Sequence, residues 1–208
     1  MELPGEGQVA LKDRGLVRKV LEGDTHAQEA FAVRYRGDLL NLFLWLTRDP
    51  DLAENLTQDT FLRVWERLGQ FRGESGLRTW VHRVALSLLA DHRRSEVRKG
   101  RALEDYARSS VPEGQAEQIR RAEMRAALAH ALAELPEDER RVVVLCKLQG
   151  FTLAEAAGLL GEPVGTLAWR MAEGLKQLRA LLSGARDSAA DKPARLAKEA
   201  THEVSQGS

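Results

Sequence analysis

Apolar side chains recur at steps of three and four along most of this chain, the spacing of a helix face rather than of a strand. Phe31, Tyr35, Leu39, Leu42, Phe43 and Leu46 predict a long helix begun at Asp24 or Thr25. Asp49-Pro50 ends it and starts the next, because Asp caps helices and Pro fits a first turn. That helix carries Leu52, Ala53, Leu56, Phe61, Val64, Trp65 and Leu68. A loop with two glycines follows over 70–78, and a helix opening near Thr79 runs through Trp80, Val81, Val84, Ala85, Leu88 and Leu89. Residues 1–12 read as loose, with helical pattern from about Asp13. Periodicity fails over 95–116, resumes over 117–134, turns a corner at Leu135-Pro136, and continues from Glu137 to Gln149, where Gly150 stops it.

Residues 152–182 carry the punctuation of a helix-turn-helix. Thr152 with Glu155 spells a capping box. Ala156, Ala157, Leu159 and Leu160 give a small apolar face, and Gly161 stands where a left-handed C-cap belongs. Pro163 suits the first turn of a longer helix through Leu167, Met171, Leu175, Leu178 and Leu182. A short helix, a glycine turn and a longer helix is the shape that lays a recognition helix in the DNA major groove; a hairpin that only packs is the other reading.

The pattern predicts an all-α chain of two small helical domains joined by a flexible linker. They are 13–95 and 117–182, the second containing the helix-turn-helix; 96–116 is the linker and 183–208 a disordered polar tail. Composition agrees: of 208 residues, 30% are charged and only 5% aromatic. Charge changes the picture more. The chain has 31 basic and 31 acidic residues, whereas a stand-alone DNA binder carries a basic excess. Its charges are segregated, with five Arg/Lys against one Glu in 92–101 and acidic residues gathered at 49–59 and 134–139. Segregated basic residues, or a larger partner on DNA, account for this.

Catalytic chemistry is not visible. His26, His82, His92, His130 and His202 have no metal spacing, and Cys146, the single cysteine, excludes an internal disulfide and reads as a buried small hydrophobe. There is no glycine-rich phosphate loop or nucleophile elbow, so neither an enzyme, a cofactor, a metal nor a small-molecule substrate is expected. Without a signal peptide or an apolar run of ~18 residues, a cytoplasmic protein is expected.

Two stretches carry a family resemblance. DLAENLTQDTFLRVW (51–65), Phe71-Arg72-Gly73, and Trp80 followed by Arg83, Ala85, Asp91, Arg93 and Arg94 resemble the second conserved region of bacterial RNA polymerase sigma factors of the extracytoplasmic-function type. Leu132–Pro136, Arg140-Arg141, 150–157, Leu160-Gly161 and Val164-Gly165-Thr166 resemble the fourth. The resemblance implies a promoter-specificity subunit that docks on core RNA polymerase through its largest-subunit clamp and flap, recognises promoter DNA, and is held by an anti-sigma factor, often at the inner membrane.

The resemblance also assigns residues. Asp51, Glu54, Gln58 and Asp59 would face the polymerase, although an acidic stripe alone is more often a solvated face. Arg72, Trp80, Arg83, Ser87, Arg93 and Arg94 would handle the −10 strand, by stacking and phosphate contact. Trp65 and Trp80 read first as core. Thr152, Val164, Gly165, Thr166, Trp169, Arg170 and Lys176 would serve the −35 element. The chain departs from its relatives at Asn55, where Asp is usual, and at Ser87, where Asn is common. It departs most over 167–175, where basic residues give way to Leu167, Ala168, Trp169, Ala172, Glu173 and Gly174. That loss opens a second reading, a sigma-like regulator or adaptor with weakened −35 binding that acts through protein contacts.

Overall fold

The computed structural model describes residues 6–98 and 116–183. The core of the expected linker and the tail beyond 183 lie outside the described residues. Those that are described form helices and connecting turns, with no strand among them. The helices are α1 Glu6–Leu21, α2 Thr25–Thr47, α3 Pro50–Arg67, α4 Leu77–Arg98, α5 Ala116–Ala133, α6 Glu137–Val143, α7 Leu153–Leu160 and α8 over 164–183. A 3₁₀ turn, Leu68–Gln70, follows α3.

Local chemistry sets most boundaries. The Asp24 carboxylate accepts the Ala27 N–H at 3.1 Å and starts α2. Arg48 ends it in the left-handed region, φ 62°, donating its N–H to the Leu44 carbonyl. Asp49 accepts the Leu52 N–H at 3.0 Å, and Pro50 opens α3. Two residues therefore reverse the chain between α2 and α3. The buried Thr57 and Thr60 hydroxyls donate to the carbonyls of Ala53 and Leu56, so neither costs an orphaned polar group.

Three boundaries depart from the sequence reading. Helix α1 begins at Glu6, ahead of the expected Asp13, and α4 opens at Leu77, ahead of Thr79, and continues to Arg98. The expected helix 137–149 is α only to Val143. Val144–Leu148 forms a π turn, in which the Gln149 N–H reaches the Val144 carbonyl, five residues back. Pro163 stands one residue before α8, its carbonyl taking the Leu167 N–H. Cys146 is half-buried rather than buried, and that partial burial pushes its thiol up.

By packing, the chain divides into two units. One holds α1–α4 together with Val144–Ala168. Its core is built from Phe31, Tyr35, Leu39, Leu42 and Phe43 of α2, Ala53, Leu56 and Val64 of α3, and Leu77, Val81, Ala85 and Leu89 of α4. Val144, Leu145, Ala156, Leu159 and Leu167 are buried in the same unit. The fully buried His82 meets the Phe151 ring edge-on at 4.9 Å, and Arg78 lies 4.3 Å over that ring. The Arg78 guanidinium also donates to Asp38 at 3.1 Å and to the Gln149 carbonyl at 2.7 Å. The second unit holds α5, α6 and α8 from Trp169, with Leu132, Leu135, Val142, Val143, Met171 and Leu178 buried. Gly174 is needed there: a Cβ would meet Val143 Cγ2 at 3.0 Å and Glu139 Cβ at 3.2 Å.

Candidate nucleic-acid interface

Helix α3 presents two faces. Ala53, Leu56, Thr57, Thr60 and Val64 point inward, which leaves Asp51, Asn55, Gln58, Asp59 and Leu62 outward. Glu54 lies beside them, half-buried. The Arg36 guanidinium donates to Glu54 at 2.9 Å, and this bond, with a longer one from Gln58, holds the Glu54 carboxyl below the usual carboxylate range. The four polar positions named from the sequence thus share one side of α3, and Leu62, 62% exposed, adds an apolar anchor that the sequence reading missed.

Helix α4 makes a second, separate ridge. Trp80, Arg83, Ser87, Asp91, Arg94 and Arg98 follow at steps of three and four, and all but half-buried Trp80 are exposed. Trp80 is half core and half surface, its ring edge-on to Phe71 at 5.7 Å. Trp65 is likewise half-buried, against Phe31 and Phe61. Arg94 pairs with Asp91 one turn back. Arg93 is directed elsewhere: it donates to the Leu46 carbonyl at 3.2 Å, at the C-terminal end of α2, where a cation also meets the negative end of the helix dipole. Arg72 is exposed in the loop before α4, beside Gly73 at φ 74°. An indole flanked by guanidiniums along one helix edge suits stacked bases and a phosphate track.

That loop is held by residues with no local signal. The buried Asp13 takes the Leu77 N–H on one oxygen at 3.1 Å and Arg34 on the other at 3.0 Å. Arg14 lies against Gly73.

Of the positions expected to serve a helix-turn-helix, Thr152, Val164, Gly165 and Thr166 fall in the first unit. The Thr152 hydroxyl is spent on the capping box, accepting the Glu155 N–H at 3.2 Å and donating to its carboxylate at 2.8 Å. Gly161 is left-handed at φ 70°, as the turn requires. Val164 and Gly165 are exposed. In the second unit Trp169 is 63% exposed. Arg170 is tied to Asp138 at 2.9 Å and only 19% exposed, and Lys176 lies near Glu173 at 3.4 Å. Between Ala168 and Arg179 the exposed positions of α8 are Ala168, Trp169, Ala172, Lys176 and Arg179, three apolar and two cationic. Among the described residues, no group of His, Cys, Asp and Glu is placed to hold a metal, and no helix is long and apolar enough to cross a membrane.

The family model described as Sigma-70 region 2 matches residues 31–99, and that described as Sigma-70, region 4 matches 125–178. The chain is 32% identical over 160 residues to the ECF RNA polymerase sigma factor SigC of Mycobacterium tuberculosis, spanning 76% of this chain and 84% of that one. The chain belongs to the sigma-70 family, in its extracytoplasmic-function (ECF) group. It is also similar to the RNA polymerase sigma-H factor of Pseudomonas aeruginosa, 26% identical over 171 residues, covering 77% of this chain and 88% of the other.

Solved structures share the fold of this ECF sigma factor. RpoE of Bartonella quintana, in complex with the anti-sigma factor NepR, matches with a TM-score of 0.64 at 23% identity, over 74% of this chain and 96% of its own. CnrH, in complex with the cytosolic domain of CnrY, matches at 0.62 and 24%, over 83% and 97%. The protein is thus an alternative sigma factor that directs promoter recognition by RNA polymerase. Helices α3 and α4 fall in its region 2; α6, α7 and most of α8 fall in region 4.

Proposed function

We propose that the two faces of region 2 divide the work of this sigma factor. The α3 face of Asp51, Glu54, Gln58 and Asp59 grips the largest-subunit clamp of core polymerase through charge-assisted hydrogen bonds, with Leu62 at its apolar end. The α4 ridge of Trp80, Arg83, Ser87 and Arg94, with Arg72 in the loop, holds the −10 strand. Arg93 supports that ridge from behind. Region 2 residues serve the −10 element and region 4 residues the −35 element, and the chain does no covalent chemistry itself. A balanced net charge suits a subunit whose nonspecific DNA affinity comes from the polymerase. As RpoE is bound by NepR, an anti-sigma factor is the regulator we expect for this chain, and a cytoplasmic site of action follows from the polymerase.

The observation that carries this reading is the one-sided ridge on α4, separate from the acidic face on α3. The test is transcription by the reconstituted holoenzyme. Asp51→Lys with Asp59→Lys should weaken core binding and leave the affinity of assembled holoenzyme for single-stranded −10 DNA intact. Trp80→Ala with Arg83→Ala should do the reverse. Equal loss of both activities in both variants would refute the division.

A second reading concerns region 4. Arg170 is occupied by Asp138, while Trp169 stands exposed beside two alanines, a surface suited to a protein anchor. In this reading −35 binding is weak and the α8 edge meets the polymerase flap, an activator or the anti-sigma factor. Loss of a protein partner in Trp169→Ala, with duplex affinity unchanged, would favour it.

A further inference from the structure

Helix α1 ends before residue 31, where the region 2 match begins, yet it grips the loop that leads into α4 at three places. It packs on the Leu68–Gln70 turn at the loop's entry. In mid-loop the Arg14 guanidinium lies so close to Gly73 that a Cβ there would come within 2.9 Å of its Nε. Gly73, at φ 74°, therefore holds a backbone shape that other residues resist and presents no side chain to Arg14. At the loop's exit the Asp13 carboxylate, 2% exposed, caps the first N–H of α4 through Leu77. Its second oxygen holds Arg34 of α2, which fixes where the carboxylate sits.

A loop that helps to read a single strand gains base selectivity only if its shape is set before the strand arrives, since a slack loop refits to any base. We infer that Asp13 and Arg14 are positioning residues for −10 strand capture: α1 sets the shape of the 71–76 loop and thereby the base preference of the site. The inference rests on the proposed role of that loop and of the α4 ridge. Asp13 acts through the Leu77 N–H and Arg14 through Gly73; neither needs to touch the captured base.

The test uses the full chain assembled with core polymerase and a panel of fluorescent single-stranded −10 oligonucleotides, each position carrying all four bases in turn. The measured quantity is the ratio of best to worst affinity at the selected position. In Asp13→Ala and Arg14→Ala this ratio should fall by at least about threefold, with core binding unchanged. Asp13→Asn, which keeps one acceptor for Leu77 but loses the negative charge that faces Arg34, should fall between and guards against loss of folding in the alanine variant. A uniform drop across the panel with the ratio preserved would overturn the inference, because α1 would then only stabilise the fold. An unchanged panel would overturn it as well. If wild-type holoenzyme shows no preference, and Trp80→Ala with Arg83→Ala binds as tightly, the −10 assignment itself fails, an outcome separate from the other two.

Discussion

Asp13 caps a helix that begins 64 residues further along the chain. Its carboxylate takes the Leu77 N–H at 3.1 Å, a role that a local Ser, Thr or Asp normally fills. The same carboxylate pairs with Arg34, so one buried group joins α1, α2 and the start of α4.

Asp13→Ala leaves the Leu77 N–H without its acceptor and the Arg34 charge without its partner. The expected cost is about 1–3 kcal/mol. Urea unfolding followed by circular dichroism measures it, and Asp13→Asn should lose less because its carbonyl still accepts the N–H.

Much of the fold was legible because its signals are local. Asp24, Asp49 and the Thr152–Glu155 pair act within three residues of themselves, and Gly161 needs only its own φ. The apolar steps on α2 and α4 name the core directly. What escaped depends on partners far away in sequence. Nothing near Asp13 marks it as a cap for Leu77, and nothing near Gly174 marks a helix approach to Val143. The π turn at Val144–Leu148 keeps helical periodicity, so composition could not separate it from α-helix. The interface shows the same division. Exposure of Asp51, Arg83 and Ser87 follows from helix spacing, whereas the directions of Arg93 toward Leu46 and Arg170 toward Asp138 are set by tertiary neighbours.

His82 makes part of the stability depend on pH. Burial, reinforced by the nearby Arg78 charge, pulls its imidazole below the ordinary value of 6.5. The Arg78 carbonyl at 2.9 Å, the Gln149 side chain and Asp38 act the other way but do not outweigh burial. The unfolded chain therefore takes up a proton at His82 before the folded chain does. This contribution is complete above about pH 6.5 and is lost as pH falls below it, by at most about 1.4 kcal/mol per unit. Melting temperatures from pH 7.5 to 5 should show a shallower decline in His82→Phe than in the wild type. Parallel curves would mean that His82 is protonated equally in both states.

Gly174→Ala should destabilise the second unit although alanine is the better helix former. The added methyl meets Val143 and Glu139 at 3.0 and 3.2 Å, and both belong to α6. Overpacking outweighs the propensity gain, for a net loss of about 1–2 kcal/mol. Thermal unfolding should resolve this as a lower melting temperature, and Gly174→Ser should be worse still.

The outer edge of α8 decides between a weakened DNA reader and a protein-binding face. Ala168→Lys adds a cation at an exposed position of α8. Ala172→Lys adds a cation at an exposed position of the same helix. If this edge follows the phosphate backbone, each change should steepen the dependence of log affinity on log salt by about 0.9 and raise affinity most at low salt. Fluorescence anisotropy of holoenzyme on a duplex −35 fragment, across a salt series, reads both quantities. Trp169→Ala carries no charge and should leave the slope alone in either case. Unchanged slopes in both charge variants, together with loss of a bound protein in Trp169→Ala, would assign the edge to protein contact, because counterion release cannot be silent where a new cation meets a phosphate.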